Sequence, residues 1–356
     1  MIPKITASQF LVDTNWAYAY GIPTIFGNIR SSPQDFLVRE AFDVKPTGSG
    51  EHVLLKISKT SLTTNEVARA IARHAKVKLS NVGFAGMKDR NAVCEQWFSV
   101  HLVGKTEPDW STLQTDKLRI LLASRHARKL NRGSHKGNAF EIVLRDLEGD
   151  RRQFIERLQT IKQSGVPNYY GEQRFVYEGK NVELAIKMFS GEIKVRDRYR
   201  RGIYLSAARS FLFNKVLANR IEADSWNRLL QGDVANLDGS RSQFSVDEST
   251  EELVERQGVL DIHPTGPLWG RGRLASHASV LELEHAVTGD FEAICAGLEQ
   301  AGLKQERRPL RLRVTNLEYE WIGNDALQLK FSLQRGAYAT SVLRESLGYA
   351  RRDSHL

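Results

Sequence analysis

The chain has 356 residues, 41% hydrophobic and 26% charged, a composition that excludes a disordered or fibrous polymer and leaves room for two domains with separate cores. Its 51 Lys and Arg against 42 Asp and Glu give a net charge of +9, which favours a polyanionic partner, nucleic acid ahead of an acidic membrane surface, because neutralising phosphates releases counterions. No run of about 20 apolar residues could span a bilayer and no signal-peptide core precedes Asn15, so a cytoplasmic protein without a membrane partner is expected. The two cysteines, Cys94 and Cys295, lie far apart in apolar patterns and read as buried thiols rather than a disulfide or a metal site.

In chain order, Ser31-Ser32-Pro33 predicts a turn, and the alternation of Phe36 and Val38 predicts a strand after it. A second strand is expected over His52 to Ile57. Thr63-Thr64-Asn65-Glu66 matches a capping box, opening a helix with Val67, Ala70, Ile71 and Ala75 on its apolar face. That helix delivers the chain to Gly83-Phe84-Ala85-Gly86-Met87-Lys88-Asp89-Arg90. Beyond it, Cys94, Phe98, Val100 and Leu102 alternate with polar residues, predicting a strand with one mainly apolar face. From Lys117 to Lys136 there are seven Lys or Arg and no acid, and a strand follows from Phe140 to Leu144. Asp150 is placed to cap a helix bearing Phe154, Ile155, Leu158 and Ile161, which stops at Gly165.

From Val166 to about Pro309 the periodicity is almost wholly helical, with segments near 181–190, 206–222, 247–257 and 279–301. Strand alternation returns in Leu310, Leu312 and Val314, in Leu317, Tyr319 and Trp321, and in Leu327 to Leu333. The expected organisation is an α+β protein. A sheet-based domain is made from both ends of the chain, residues 1–165 and 310–356, with a mainly helical domain, 166–309, inserted between them.

Several reactive motifs fail on spacing. Val103-Gly104-Lys105-Thr106 resembles the end of a phosphate-binding loop, but the first glycine would fall at Ser99, inside a strand. Dinucleotide, zinc-protease, EF-hand and nucleophile-elbow patterns do not occur, and the scattered histidines predict no metal. What remains is Asp89, flanked by Lys88 and Arg90. It reads either as a turn Asp bonded to its own backbone or as a carboxylate acting as nucleophile or base on a nucleic acid, with Gly83 and Gly86 letting the backbone pass close to a substrate. Lys88 is then a candidate phosphate contact. Asn138 and Phe140, after the cationic run, are either a loop closing on a core ring or an amide and an aromatic placed to read and stack on a base. Asn168, Arg174 and Phe175, among Tyr169 and Tyr170, suit either RNA or a packed hinge. The basic segment Lys194 to Arg201 is either a solvated face or a phosphate contact.

Together and in order, these stretches resemble the tRNA pseudouridine synthase D (TruD) family. The resemblance is carried by Ser32-Pro33-Gln34-Asp35-Phe36, by Phe84 to Val93 with Glu95-Gln96-Trp97, and by Lys136-Gly137-Asn138-Ala139-Phe140. It continues in Val166 to Phe175, in Leu205 to Ser210 and in Gly336 to Glu345. It implies a pseudouridine-synthase catalytic domain around a mixed, largely antiparallel sheet, with the family's helical TRUD domain inserted. It further implies isomerisation of uridine to pseudouridine in tRNA, typically uridine 13 of glutamate tRNA, with no cofactor; no obligatory protein partner is evident from the sequence. The family's catalytic Asp matches Asp89, its pocket Asn and Phe match Asn138 and Phe140, and Arg30 stands where the family usually has Lys. Val176 stands where it often has Gly. From another class, a non-catalytic RNA-binding or RNA-folding protein would use the same cleft; a nuclease is disfavoured for want of metal-ligand clusters.

Overall fold

In this computed structural model, the structure describes residues 12, 14–42, 45–176 and 179–349. They fall into two compact units. One takes the described residues up to Pro23 with Ile155–Arg313 and Thr340–Ser346. The other takes Thr24–Phe154 and Val314–Ala339 with the described residues from Leu347 on.

The chain enters the second unit through strand β1 (Ile25–Ile29), a turn over Pro33–Asp35, β2 (Phe36–Ala41) and β3 (His52–Thr60). Helix α1 (Thr64–His74) opens on the expected capping box: Thr63 accepts from the Glu66 N–H, and Glu66 accepts in return from the Thr63 N–H. Val67, Ile71 and Ala75 are buried as expected, but Ala68 and Ala72 flank them and Ala70 lies at the edge of the face. The chain continues through β4 (Val82–Phe84), β5 (Val93–His101), β6 (Leu118–His126) and β7 (Gly137–Gly149). Strand β6 occupies part of the basic stretch, which sequence periodicity did not mark as a strand.

Helix α2 (Arg151–Ser164) follows, its first turn held by Asp150 accepting from the Gln153 N–H, and it leads through β8 (Val166–Pro167) to α3 (Lys180–Phe189) and α4 (Arg198–Glu222). Then come β9 (Val234–Leu237), β10 (Gln243–Ser245), α5 (Glu251–Gly258), β11 (Ile262–Leu268), α6 (Ala278–Gly289), α7 (Glu292–Gln300), β12 (Glu306–Pro309) and β13 (Arg311–Leu312). The chain closes with β14 (Thr315–Ile322), β15 (Ala326–Gln334), α8 (Ala339–Ser346) and β16 (Gly348–Tyr349).

The sheet of the second unit has ten strands, with the main order β14-β15-β7-β2-β5-β3-β6. Among the described residues of this sheet only β1–β16 and β2–β5 pair in parallel; the other pairs are antiparallel. It is therefore mixed and largely antiparallel. Because β5 is central, it is buried on both faces from Gln96 to Val100, not on one. Val53, Leu55, Ile57, Phe98 and Val100 pack against Val67, Ala68, Ile71 and Ala72 of α1.

The other unit centres on α4, whose Phe211, Leu212, Phe213 and Leu217 are buried with Phe175, Ile294 and Leu298. All four helical segments expected over 166–309 are present, the last split into α6 and α7, but that stretch also holds a four-stranded sheet, β10-β9-β11-β12. Pro264, Gly266 and Pro267 hide β11 from sequence periodicity. The strand accommodates its prolines because β9 pairs with Ile262–Pro264 and β12 with Thr265–Leu268, so each half is bonded on one side by a different neighbour.

The units divide at Phe154/Ile155 and Arg313/Val314 rather than at the expected 165/166 and 309/310. Arg157 of α2 explains part of this, donating to the carbonyls of Gly21, Ile22 and Glu345. Trp16 stacks on Tyr169 with ring centroids 5.9 Å apart. Among the described residues no helix is long and apolar enough to cross a membrane.

Candidate active site

Strand parity assembles this site. Val38 pairs with both Phe140 and Cys94, Phe140 pairs with Phe331, and Lys59 pairs with Cys94. Phe36, Val38, Glu40, Lys59, Cys94, Gln96, Asn138, Phe140 and Phe331 therefore share one face of the sheet. Three of them, Glu40, Lys59 and Gln96, are buried polar residues at positions where the alternation calls for apolar ones.

All three hold the loop between β4 and β5. Lys59 Nζ donates to the Asp89 carbonyl at 2.7 Å and to the Leu62 carbonyl at 2.5 Å. Gln96 Nε2 donates to the Gly86 carbonyl at 2.7 Å, while the Thr64 hydroxyl accepts from the Lys88 N–H at 2.9 Å and donates to Gln96 Oε1 at 3.0 Å. Glu40 Oε1 receives Lys88 Nζ at 2.8 Å, and its Oε2 receives the Trp97 N–H. A buried, saturated network of this kind removes the freedom a surface loop would otherwise have. Burial depresses the Lys59 pKa and raises that of the adjacent Cys94 thiol, because each would carry its charge in an apolar interior.

Asp89 is fixed on top of this network with its carboxylate partly open. Oδ1 accepts from the Asn91 N–H at 3.1 Å, the turn bond expected of a loop Asp, and Oδ2 accepts from Arg30 Nη2 at 2.6 Å. The Arg30 and Asp89 side chains are 23% and 29% exposed, so the pair is reachable from outside. Arg30 itself has φ +58°, a left-handed conformation that costs a non-glycine residue energy and recurs at functional sites. The turn after it is tied down by Asp35, which accepts from the Ser32 N–H and from Arg145 at 2.6 Å; the Arg145 hydrogen bond holds the Asp35 carboxyl below its ordinary pKa. The Arg30 guanidinium lies 4.2 Å above the Phe36 ring, Phe36 meets Phe140 edge-on, and Phe140 stacks on Phe331 at 5.2 Å. Asn138 stands two residues before Phe140 on the same face, and its Oδ1 is buried without a hydrogen-bond partner.

The structure thus brings Asp89, Arg30, Asn138 and Phe140 together, and it corrects several other expectations. Lys88 is buried on Glu40 rather than offered to phosphate. Phe140 is 7% exposed and packed against two rings, so it backs Phe36, the ring under Arg30, and is not an open stacking platform. Gly83 permits a close approach to protein, not to substrate: a Cβ there would lie 2.5 Å from the Leu130 carbonyl oxygen. In the other unit, Asn168 donates to the Pro309 carbonyl and accepts from Arg308, Phe175 is a core residue, and Arg174 donates to the Ser206 hydroxyl at 2.7 Å. Glu40, Lys59, Thr64 and Gln96 were not singled out from sequence, although Lys59 continues the inward parity of Val53, Leu55 and Ile57, and Gln96 that of Cys94 and Phe98.

The family model described as tRNA pseudouridine synthase D (TruD) matches residues 14–182 and 177–346. The chain belongs to the TruD family. Among curated TruD relatives, the tRNA pseudouridine synthase D of Methylococcus capsulatus is 46% identical over 327 residues, covering 92% of each chain, and that of Nitrosococcus oceani is 46% identical over 331 residues at the same coverage. A crystal structure from Methanosarcina mazei, assigned to the TruD family, superposes with a TM-score of 0.70 at 21% identity over 93% of this chain and 95% of the other. At that identity the likeness establishes a shared fold, in agreement with the mixed sheet and inserted helices described above.

Proposed function

We propose that the chain is a tRNA pseudouridine synthase, an isomerase that converts uridine to pseudouridine in tRNA, with uridine 13 of glutamate tRNA as the target and Asp89 as the catalytic residue. The reading rests on one observation above others: a carboxylate held from below by a buried network, paired with Arg30 at 2.6 Å, and left partly exposed. The unit carrying Asp89 is assigned the catalytic role.

The reaction breaks the bond from C1′ to N1, turns the uracil and rejoins it through C5, which loses its proton. Inside a helix those atoms are hidden, so the nucleotide must be turned out of its stack at a cost of a few kcal/mol. Asp89 then acts through the free lone pairs of its carboxylate, either attacking C1′ as nucleophile or taking a proton from C2′ as base. Arg30 orients that carboxylate. The unpaired Oδ1 of Asn138 is an acceptor for a uracil N–H, and the ring of Phe140 backs the pocket.

The test is tritium release from a glutamate tRNA transcript labelled at uracil C5, with the product mapped at position 13. The wild-type chain is expected to release tritium and Asp89→Asn to lose at least about a thousand-fold in rate, as single removals from a reacting unit do. Unchanged release by Asp89→Asn would overturn the catalytic assignment, and binding without release by the wild type would favour a non-catalytic RNA-binding protein.

A further inference from the structure

Helix α1 presents to solvent a stripe that the site described above does not use. Arg69 and Arg73 lie one turn apart on α1 and Lys76 follows just beyond its C-cap Ala75 with a left-handed φ of +51°; all three are exposed, and with Glu66 and Leu79 they line a groove of about 620 Å³. Among the described residues none of these three cations, nor Arg90, is ion-paired, whereas Arg39, Lys56, Lys88, Arg125 and Arg145 in the same unit all are. The single acid in the groove is already engaged, its Oε2 accepting from the Thr63 N–H at 2.6 Å and from the Thr63 hydroxyl at 2.8 Å. Arg69 and Arg90 both lie close enough to Glu66 for their charges to act on it, so the cationic stripe runs on to the residue next to Asp89.

Arg73 and Lys76 also complement the C-terminal end of the helix dipole, but that effect fades within the last turn and does not account for Arg69 or Arg90. Like charges four apart on a helix repel each other. A polyanion lying in the groove removes that repulsion and meets cations whose charge no carboxylate has taken up.

We propose that the groove along α1, lined by Arg69, Arg73 and Lys76 and continued by Arg90, binds the phosphate backbone of the tRNA strand flanking the nucleotide delivered to Asp89. This rests on the functional reading above for the position of the target nucleotide, but not for the presence of an RNA-binding groove.

The experiment measures binding of an unmodified glutamate tRNA transcript over a range of salt concentrations, together with KM and kcat for tritium release. The triple variant Arg69→Gln/Arg73→Gln/Lys76→Gln is compared with wild type, and Gln is a good helix former, so α1 should persist. Each lost phosphate contact lowers the slope of log affinity against log salt by about 0.7–0.9, so a drop of about two is expected, with KM raised about ten-fold or more and kcat within about two-fold. Arg69→Lys/Arg73→Lys should restore the slope. The control Lys162→Gln/Arg241→Gln/Arg273→Gln removes three exposed cations from the other unit. An unchanged slope in the groove variant, or an equal drop in the control, overturns the proposal. If the wild type binds tRNA with a groove-dependent slope but releases no tritium, the isomerase reading fails and the groove stands.

Discussion

Two arginine–carboxylate pairs, one in each unit, show how differently the same chemistry can be used. Arg220 and Asp233 are wholly buried and saturated. The guanidinium spans both carboxylate oxygens at 2.9 and 3.1 Å and also donates to the carbonyls of Ser225 and Arg228, while Asp233 accepts the Leu230 N–H. Arg30 and Asp89 share a single bond, are each about a quarter exposed, and leave the Arg30 Nε without a partner. A saturated buried pair can only hold structure. An unsaturated pair mounted on a rigid base has lone pairs left over for a substrate, and in the second unit the rigidity comes from Lys59, Gln96 and Glu40 beneath the loop.

The most direct way to break this comparison is to remove one charge from each pair. Asp89→Asn should abolish tritium release while leaving the urea unfolding midpoint nearly unchanged, because Asn retains an acceptor for the Asn91 N–H. Arg220→Met should do the reverse. Leaving Asp233 buried without its cation is expected to cost about 3–5 kcal/mol of stability in the helical unit, read by urea unfolding, with turnover per folded molecule preserved. An activity loss in Arg220→Met under fully folded conditions would show that the two pairs are not separable.

A finer cut goes through the base of the loop. Lys59→Met removes the donor to the Asp89 carbonyl while roughly keeping the volume, and should lower kcat by about 10–100-fold with KM little changed, since a small misplacement of a reacting group costs about that much. If KM rises and kcat holds, Lys59 serves only folding. The smallest effect concerns backbone strain. Arg30 and Val176 have nearly the same left-handed φ, +58° and +59°, yet only Arg30 stands at the candidate site. Val176→Gly should therefore stabilise the helical unit by about 1 kcal/mol or less, measured by thermal melting, with activity unchanged.

Much of this molecule follows from local pattern. The capping box at Thr63, the strands from Phe36, His52 and Leu327, and the four helical segments between Lys180 and Gln300, though not the break between α6 and α7, are legible because each is set by side chains near one another in sequence. So is the candidacy of Asp89, once the motifs around Asn138 and Phe140 are considered with it. What sequence did not specify is long-range. The strand β11 carries prolines that only its split pairing makes tolerable, and β6 is a strand because β3 lies beside it. Lys88 looks like a surface cation in a linear reading, yet it and Lys59 are both buried because register sets them against Glu40 and the Asp89 carbonyl. The sequence by itself therefore determined the family, most of the elements and the candidacy of Asp89 as the reactive carboxylate. Tertiary structure alone decided which polar side chains became the loop's foundation and which cations were left without an acidic partner, because burial and pairing depend on neighbours that the chain brings together only when it folds.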